Sequence, residues 1–232
     1  MEKTQKDGTW LALESNPETL SNFIKRLGIK NTVVTDVYGF DASLIEFVPR
    51  PHHALIVCLP DYRLCSGIIS EKYNELAKEG KNVYPEDEVF FMRQKISNAC
   101  GTFALFHALA NSPFVDKGTG SFAQWLEKAK KLPMEERSTS LFNESAISEA
   151  HDECAREGET SIPNEDMVEH HFMSYANING ILYEFDSTQS FPRKCGETSE
   201  ETFILDAGEE LKPLMNKLNN ISFSAMAVIG EY

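Results

Sequence analysis

Residues 170–187 read HHFMSYANINGILYEFDS, two runs rich in aromatic and aliphatic side chains on either side of Asn179-Gly180. Asn-Gly is the favoured centre of a two-residue type I′ turn, because both residues tolerate positive φ. The runs 171–178 and 181–186 are therefore predicted to form an antiparallel hairpin in which residues equidistant from the turn face each other. His171 then lies opposite Thr188, and Asp186 opposite Met173. That makes His171 and Asp186 diagonal neighbours on one face, with Cβ atoms about 7 Å apart and within side-chain reach. The alternation places Phe172, Ala176, Ile178, Ile181, Tyr183 and Phe185 on an apolar side. His171, Asn177, Glu184 and Asp186 fall on the opposite, polar side, which taken alone reads as a solvated sheet face. His170 falls on the apolar side, the poorer place for a base.

Working outward, strand-like runs recur at 31–38, 53–60 and 221–229, and helices are predicted over 17–27, 71–81, 98–111, 121–132, 144–157 and 200–218. Thr198 and Glu201 have the spacing of a capping box before the last of these. The sum is an α/β (α+β) fold with a central, mainly antiparallel sheet flanked by helices. No Gly/Ser-rich or Pro-rich linker divides the chain, so residues 1–232 are expected to form a single domain. Residues 158–168, GETSIPNEDMV, have no period and contain both Gly and Pro, the pattern of a loop placed just before the histidine strand.

The segment 94–111, QKISNACGTFALFHALAN, is an almost wholly apolar helix that begins with a cysteine. Ser97 or Asn98 can cap it, leaving Cys100 in the first turn, where free N–H groups and the helix dipole favour a thiolate. Taken alone, a cysteine here packs more often than it reacts. Set beside His171 and Asp186, it completes a nucleophile, a base and a group that orients the base, in the chain order of papain-like enzymes. Gln94, six residues earlier, has a side-chain amide of the type that, with the Cys100 N–H, can stabilise an oxyanion. His107 lies on the apolar helix and is expected in the core, and His52-His53 lacks partners at metal-ligand spacing.

Composition narrows the ligand classes. With 36 acidic against 22 basic residues, the formal charge of -14 disfavours nucleic acid and anionic membrane and favours a basic partner. No run is long enough to span a bilayer, and five scattered cysteines without a CxxC fit a reducing compartment, so a cytoplasmic protein is expected, with the nucleus a second place for it. No metal site is indicated.

These motifs, taken together, resemble the ubiquitin C-terminal hydrolase family of cysteine proteases. QKISNACGTFALFHAL resembles the family's nucleophile segment, and HHFMSYANINGILYEFD its histidine strand with the aspartate fifteen residues later. The likeness extends to TWLALESNPETL, DVYGFDASLIEFVPRPHHALIVCLP, FPRKCGETSEETF and ISFSAMAVI, nearly the whole chain. One departure is Ser187, where the family usually has Gly after the aspartate. The length resembles that of members consisting of the catalytic domain alone.

The resemblance implies a papain-like fold with a knotted backbone, against the general rule that chains do not thread. It implies no cofactor, a monomer, ubiquitin as partner with Nedd8 a second one, and cleavage after the terminal glycine. Residues 158–168 become a crossover above the site. Ubiquitin contacts are implied along 12–17, the crossover with its preceding turn, and 220–225. The positions concerned are Leu13, Glu14, Ser15, Asn16, Glu157, Gly158, Glu159, Thr160, Phe223 and Ser224. Glu14, Glu157, Glu159, Glu165 and Asp166 are placed to steer the arginine-bearing ubiquitin tail. Two other readings stay open: an acyltransferase using the same triad, and a catalytically silent ubiquitin-binding module.

Overall fold

The computed structural model describes residues 8–60, 62–158, 169–218 and 223–230. The continuous apolar run 53–60 forms the strand β2 (His52–Leu59), and the hairpin arms form β3 (His171–Ile178) and β4 (Ile181–Phe185). With β1 (Thr32–Asp36), β5 (Arg193–Glu197) and β6 (Ser224–Gly230) they build one six-stranded sheet in the order β1-β6-β2-β3-β4-β5, every neighbouring pair antiparallel. Asn179 and Gly180 take φ of 53° and 81°, as a type I′ turn requires. The register runs from Ile178 opposite Ile181 to Ser174 opposite Phe185, as the sequence predicts.

Both faces of this sheet are covered, which is why β2 reads as unbroken hydrophobicity rather than alternation. On one face Ala54, Ile56, Cys58, Phe172, Met226 and Val228 share a core with α1 (Pro17–Arg26), α4 (Cys100–Asn111), α5 (Ser121–Ala129) and α7 (Ser145–Glu157). On the other, Leu55, Val57, Met173, Tyr175, Leu182 and Ala227 pack against α3 (Tyr62–Lys78) and α8 (Phe203–Leu218). All twelve residues of α4 are buried.

Several expectations are corrected. The polar side of the hairpin is not solvated: Glu184 is 5% exposed and Asp186 is fully buried. Burial of Glu184 is offset by a bidentate pair with Arg193 (2.9 and 2.5 Å) and by hydroxyl donors from Tyr175 (2.6 Å) and Tyr73 (3.1 Å). Strand β5, too short and polar to announce itself, carries that arginine. Helix α3 starts at Tyr62, not 71; its buried Cys65, Ile69 and Tyr73 stand at the i, i+4, i+8 spacing that would have revealed it. The short helices α2 (Ala42–Ile45) and α6 (Met134–Phe142) were not expected. Arg137 anchors α6 by donating to the Phe91 carbonyl (2.7 Å) and lying over the Phe90 ring. The capping box of α8 is Ser199 with Thr202, whose side chains and N–H groups bond reciprocally, rather than Thr198 with Glu201. Thr198 instead donates to Asp206.

Glu184→Gln should leave the buried Arg193, among the described residues, with only the partly exposed Glu210 as an ion-pair partner. The expected loss is about 3 kcal/mol of stability, at the low end for breaking a buried pair. Urea unfolding measures it as a lower midpoint at constant slope; a loss under about 1 kcal/mol would show the pair to be dispensable.

Candidate active site

Helix α4 begins at Cys100 itself, with Ala99 at the N-cap and no side-chain cap. Neither Ser97 nor Asn98 serves, contrary to the sequence expectation. The Ser97 backbone is tied to the N-terminal segment, its N–H donating to the Gly8 carbonyl (2.7 Å) and its carbonyl accepting from Trp10 (3.0 Å). Asn98 then turns the chain with φ of 60°. The consequence is chemical: among the described residues no side chain caps the first-turn N–H groups, which face the position where negative charge forms. A Cβ at Gly101 would come within 3.2 Å of the Leu13 Cβ, so glycine there lets the helix start lie close to Leu13 and β3.

The His171 imidazole and the backbone N–H groups of Phe172 and Gly101 stand close enough to the Cys100 sulfur to stabilise its charge. Burial alone would raise its pKa, but the imidazolium and these donors outweigh burial and hold the thiol below its ordinary value. His171 Nε2 lies 2.8 Å from Asp186 Oδ1, which leaves Nδ1 for the sulfur. Burial would lower the histidine's pKa; the Asp186 carboxylate and Cys100 reverse this and raise it well above the usual value. Asp186 is held down, against its burial, by His171 and by two further donors to Oδ1, the Thr188 N–H (2.9 Å) and hydroxyl (2.7 Å). Three donors on one oxygen fix the acid. The Tyr62 ring lies 4.7 Å from that of His171, a neighbour that no local motif signals, since it comes from the start of α3.

Gln94 sits beside this set. Its Nε2 donates to the Ile96 carbonyl (2.8 Å), its N–H donates to the Ser187 carbonyl (2.8 Å), and its Oε1 accepts from the Ser187 hydroxyl (2.8 Å). The four predicted residues are thus brought to one place by α4, the loop before it and the two ends of the hairpin. The arrangement can form and resolve a thioester through a charged thiolate–imidazolium pair.

The other thiols differ. Burial raises Cys58 to about 12 and Cys154 to about 11. His107 is a core residue, as expected: it accepts from the Met92 N–H (3.1 Å), stacks on Phe91 and Phe185, and is pushed down to about 3 by burial. His170, expected on the apolar face, is exposed, because pairing begins only at His171.

The described parts of the three stretches expected to meet a partner lie close to one another and to the strands beside the nucleophile. Ser15 and Ser224 share a hydrogen bond (2.8 Å), and Ser224 pairs in register with Cys58, itself paired with Phe172. Glu14 lies against Gly158. Phe223 and Ser224 are partly exposed. Leu13, by contrast, is buried in the main core, and Asn16 caps α1 by accepting from the Glu18 and Thr19 N–H groups, so both support this surface from behind. Glu157 is paired with Arg26 (2.7 Å), as is Glu153, which tempers its part in any steering field. The crossover from Glu159 on, including Thr160, Glu165 and Asp166, and residues 220–222 lie outside the described residues, and with the crossover goes the threading of the chain.

Comparison with known proteins places this arrangement. A family profile described as "Ubiquitin carboxyl-terminal hydrolase, family 1" matches residues 10–216. A ubiquitin carboxyl-terminal hydrolase of Drosophila melanogaster is 40% identical over 222 residues, covering 95% of this chain and 97% of the relative. The human ubiquitin carboxyl-terminal hydrolase isozyme L1 is 33% identical over 222 residues, covering 93% and 96%. In fold, the catalytic domain of Trichinella spiralis UCH37, crystallised with ubiquitin vinyl methyl ester, superposes with a TM-score of 0.73 at 24% identity and 97% coverage of both chains. By the extent of these matches, the chain belongs to the ubiquitin carboxyl-terminal hydrolase family, cysteine-type hydrolases of the deubiquitinating class.

Proposed function

We propose that this chain hydrolyses the bond that follows the C-terminal glycine of ubiquitin, freeing ubiquitin from esters, thioesters, amines and short peptides. One observation carries the reading: a cysteine at the first position of a buried helix, beside a buried histidine that is itself hydrogen-bonded to a buried aspartate, an arrangement that holds the thiol below its ordinary pKa. The Cys100 thiolate attacks the glycyl carbonyl, and the C–O π electrons pass to oxygen. The oxyanion meets the Cys100 N–H and the second Nε2 proton of Gln94, the first being held by Ile96. As the oxyanion collapses, the bond to the leaving group breaks and His171 gives that group its proton, leaving a thioester. His171 then takes a proton from the water that attacks the thioester, the C–S bond breaks and the Cys100 thiolate returns, while Asp186 keeps the imidazole oriented. Ubiquitin is the proposed partner, approaching over Glu14, Ser15, Gly158, Phe223 and Ser224. Small or unfolded leaving groups are the preferred ones in this reading, and the shared Gly-Gly ending makes Nedd8 a second substrate.

Ubiquitin and Nedd8 probes carrying a vinyl electrophile in place of the terminal carboxylate test this directly. The ubiquitin probe is expected to modify Cys100 alone, identified by peptide mass. Modification of Cys58, Cys65, Cys154 or Cys195 instead, or of none, would overturn the reading. Efficient transfer to added amines in place of water would turn it towards an acyltransferase.

A further inference from the structure

Gln94 can serve an oxyanion only if its amide faces the right way, and an amide rotated by half a turn offers an acceptor where a donor is needed. The Ile96 carbonyl, which can only accept, identifies the end 2.8 Å from it as Nε2. The opposite end is then Oε1, and the hydroxyl of Ser187, 2.8 Å away, must be its donor. Ser187 is 1% exposed, so its hydroxyl is spent inside the protein, on Gln94, rather than on bulk water. The same residue accepts the Gln94 N–H on its own carbonyl at 2.8 Å, fastening the oxyanion loop to the end of the hairpin that carries Asp186.

We propose that Ser187 is a positioning residue for the reaction: its hydroxyl holds the Gln94 amide with an Nε2 proton towards the developing oxyanion. By donating to Oε1 it also polarises the amide, which strengthens Nε2–H as a donor. Ser187 touches no reacting atom and acts only through Gln94. The inference therefore rests on Gln94 being the oxyanion donor, as set out under the proposed function.

A double-mutant cycle on hydrolysis of a fluorogenic ubiquitin C-terminal amide tests it. Gln94→Ala should lower kcat by about 10²-fold, the usual effect of removing one such donor. Ser187→Ala should lower kcat about tenfold with KM and the pH profile unchanged, and should lower it no further when Gln94 is already Ala. Ser187→Gly, which removes the same hydroxyl, repeats the measurement should the alanine variant fold poorly. A loss of the same size in both backgrounds, or a displaced pH profile, would mean that Ser187 merely supports the turn at Asp186, and would overturn the proposal. So would full activity of Ser187→Ala beside a disabled Gln94→Ala, which leaves the role of Gln94 standing. Full activity of Gln94→Ala would remove both.

Discussion

Cys100→Ala is expected to reduce turnover of a ubiquitin ester or amide by about 10⁵-fold or more, to the level of the assay background, while ubiquitin binding stays close to that of the parent protein. The size follows from the role: with the nucleophile gone, the base and oxyanion donors have nothing to activate. Binding is expected to be spared because the substitution removes one sulfur from a residue only 8% exposed, leaving the proposed contact residues 14–15, Gly158 and 223–224 untouched. Steady-state kinetics with calorimetric titration of ubiquitin separate the two quantities. Measurable turnover in the variant at the parental rate would exclude Cys100. No rescue by the nearby Cys58 is expected, since burial keeps that thiol protonated at about 12.

The second large effect separates two adjacent histidines. His171→Ala should cost about 10³-fold or more in kcat, because it removes the base and, with it, the charge that keeps Cys100 ionised. His170→Ala should change neither rate nor stability by a measurable amount, since His170 is exposed and precedes the strand. The reverse pattern would mean that the histidine strand is read one residue out of register. The same pair sets the pH dependence. Cys100 is lowered and His171 raised, so the ion pair persists over the window between the two titrations. Below it the thiolate is protonated and the rate falls; above it the imidazolium loses its proton and the rate falls again. Asp186→Asn removes the carboxylate that raises His171, so the alkaline limb should move down in pH. Rate profiles of both proteins in matched buffers measure this, and an unmoved alkaline limb would show that Asp186 does not govern the histidine.

What could be read in advance, and what could not, follows from the range of the interactions involved. The hairpin was legible because Asn179-Gly180 sets turn type by local sterics, and turn type sets register. Register in turn places His171 and Asp186 diagonally, and they meet at 2.8 Å. The apolar, cysteine-led helix was equally legible, since its composition alone demands burial on every side. The cap was not. Ser97 is withdrawn by backbone bonds to Gly8 and Trp10, from a segment distant in sequence, and that withdrawal is what leaves the first turn of α4 open. Alternation likewise separated the two sides of β3 and β4 but could not tell a solvated polar face from a buried one. A glutamate has the same period whether water or Arg193 solvates it, and only the docking of α3, α8 and β5 decides for Glu184. Ser187 marks the limit most sharply. As a letter it is a departure after the aspartate; in the tertiary structure its hydroxyl and carbonyl grip Gln94, 93 residues away in sequence. Local sterics and periodicity act over a few residues and are written in the sequence, whereas the partners of a buried polar group are chosen by how the layers pack.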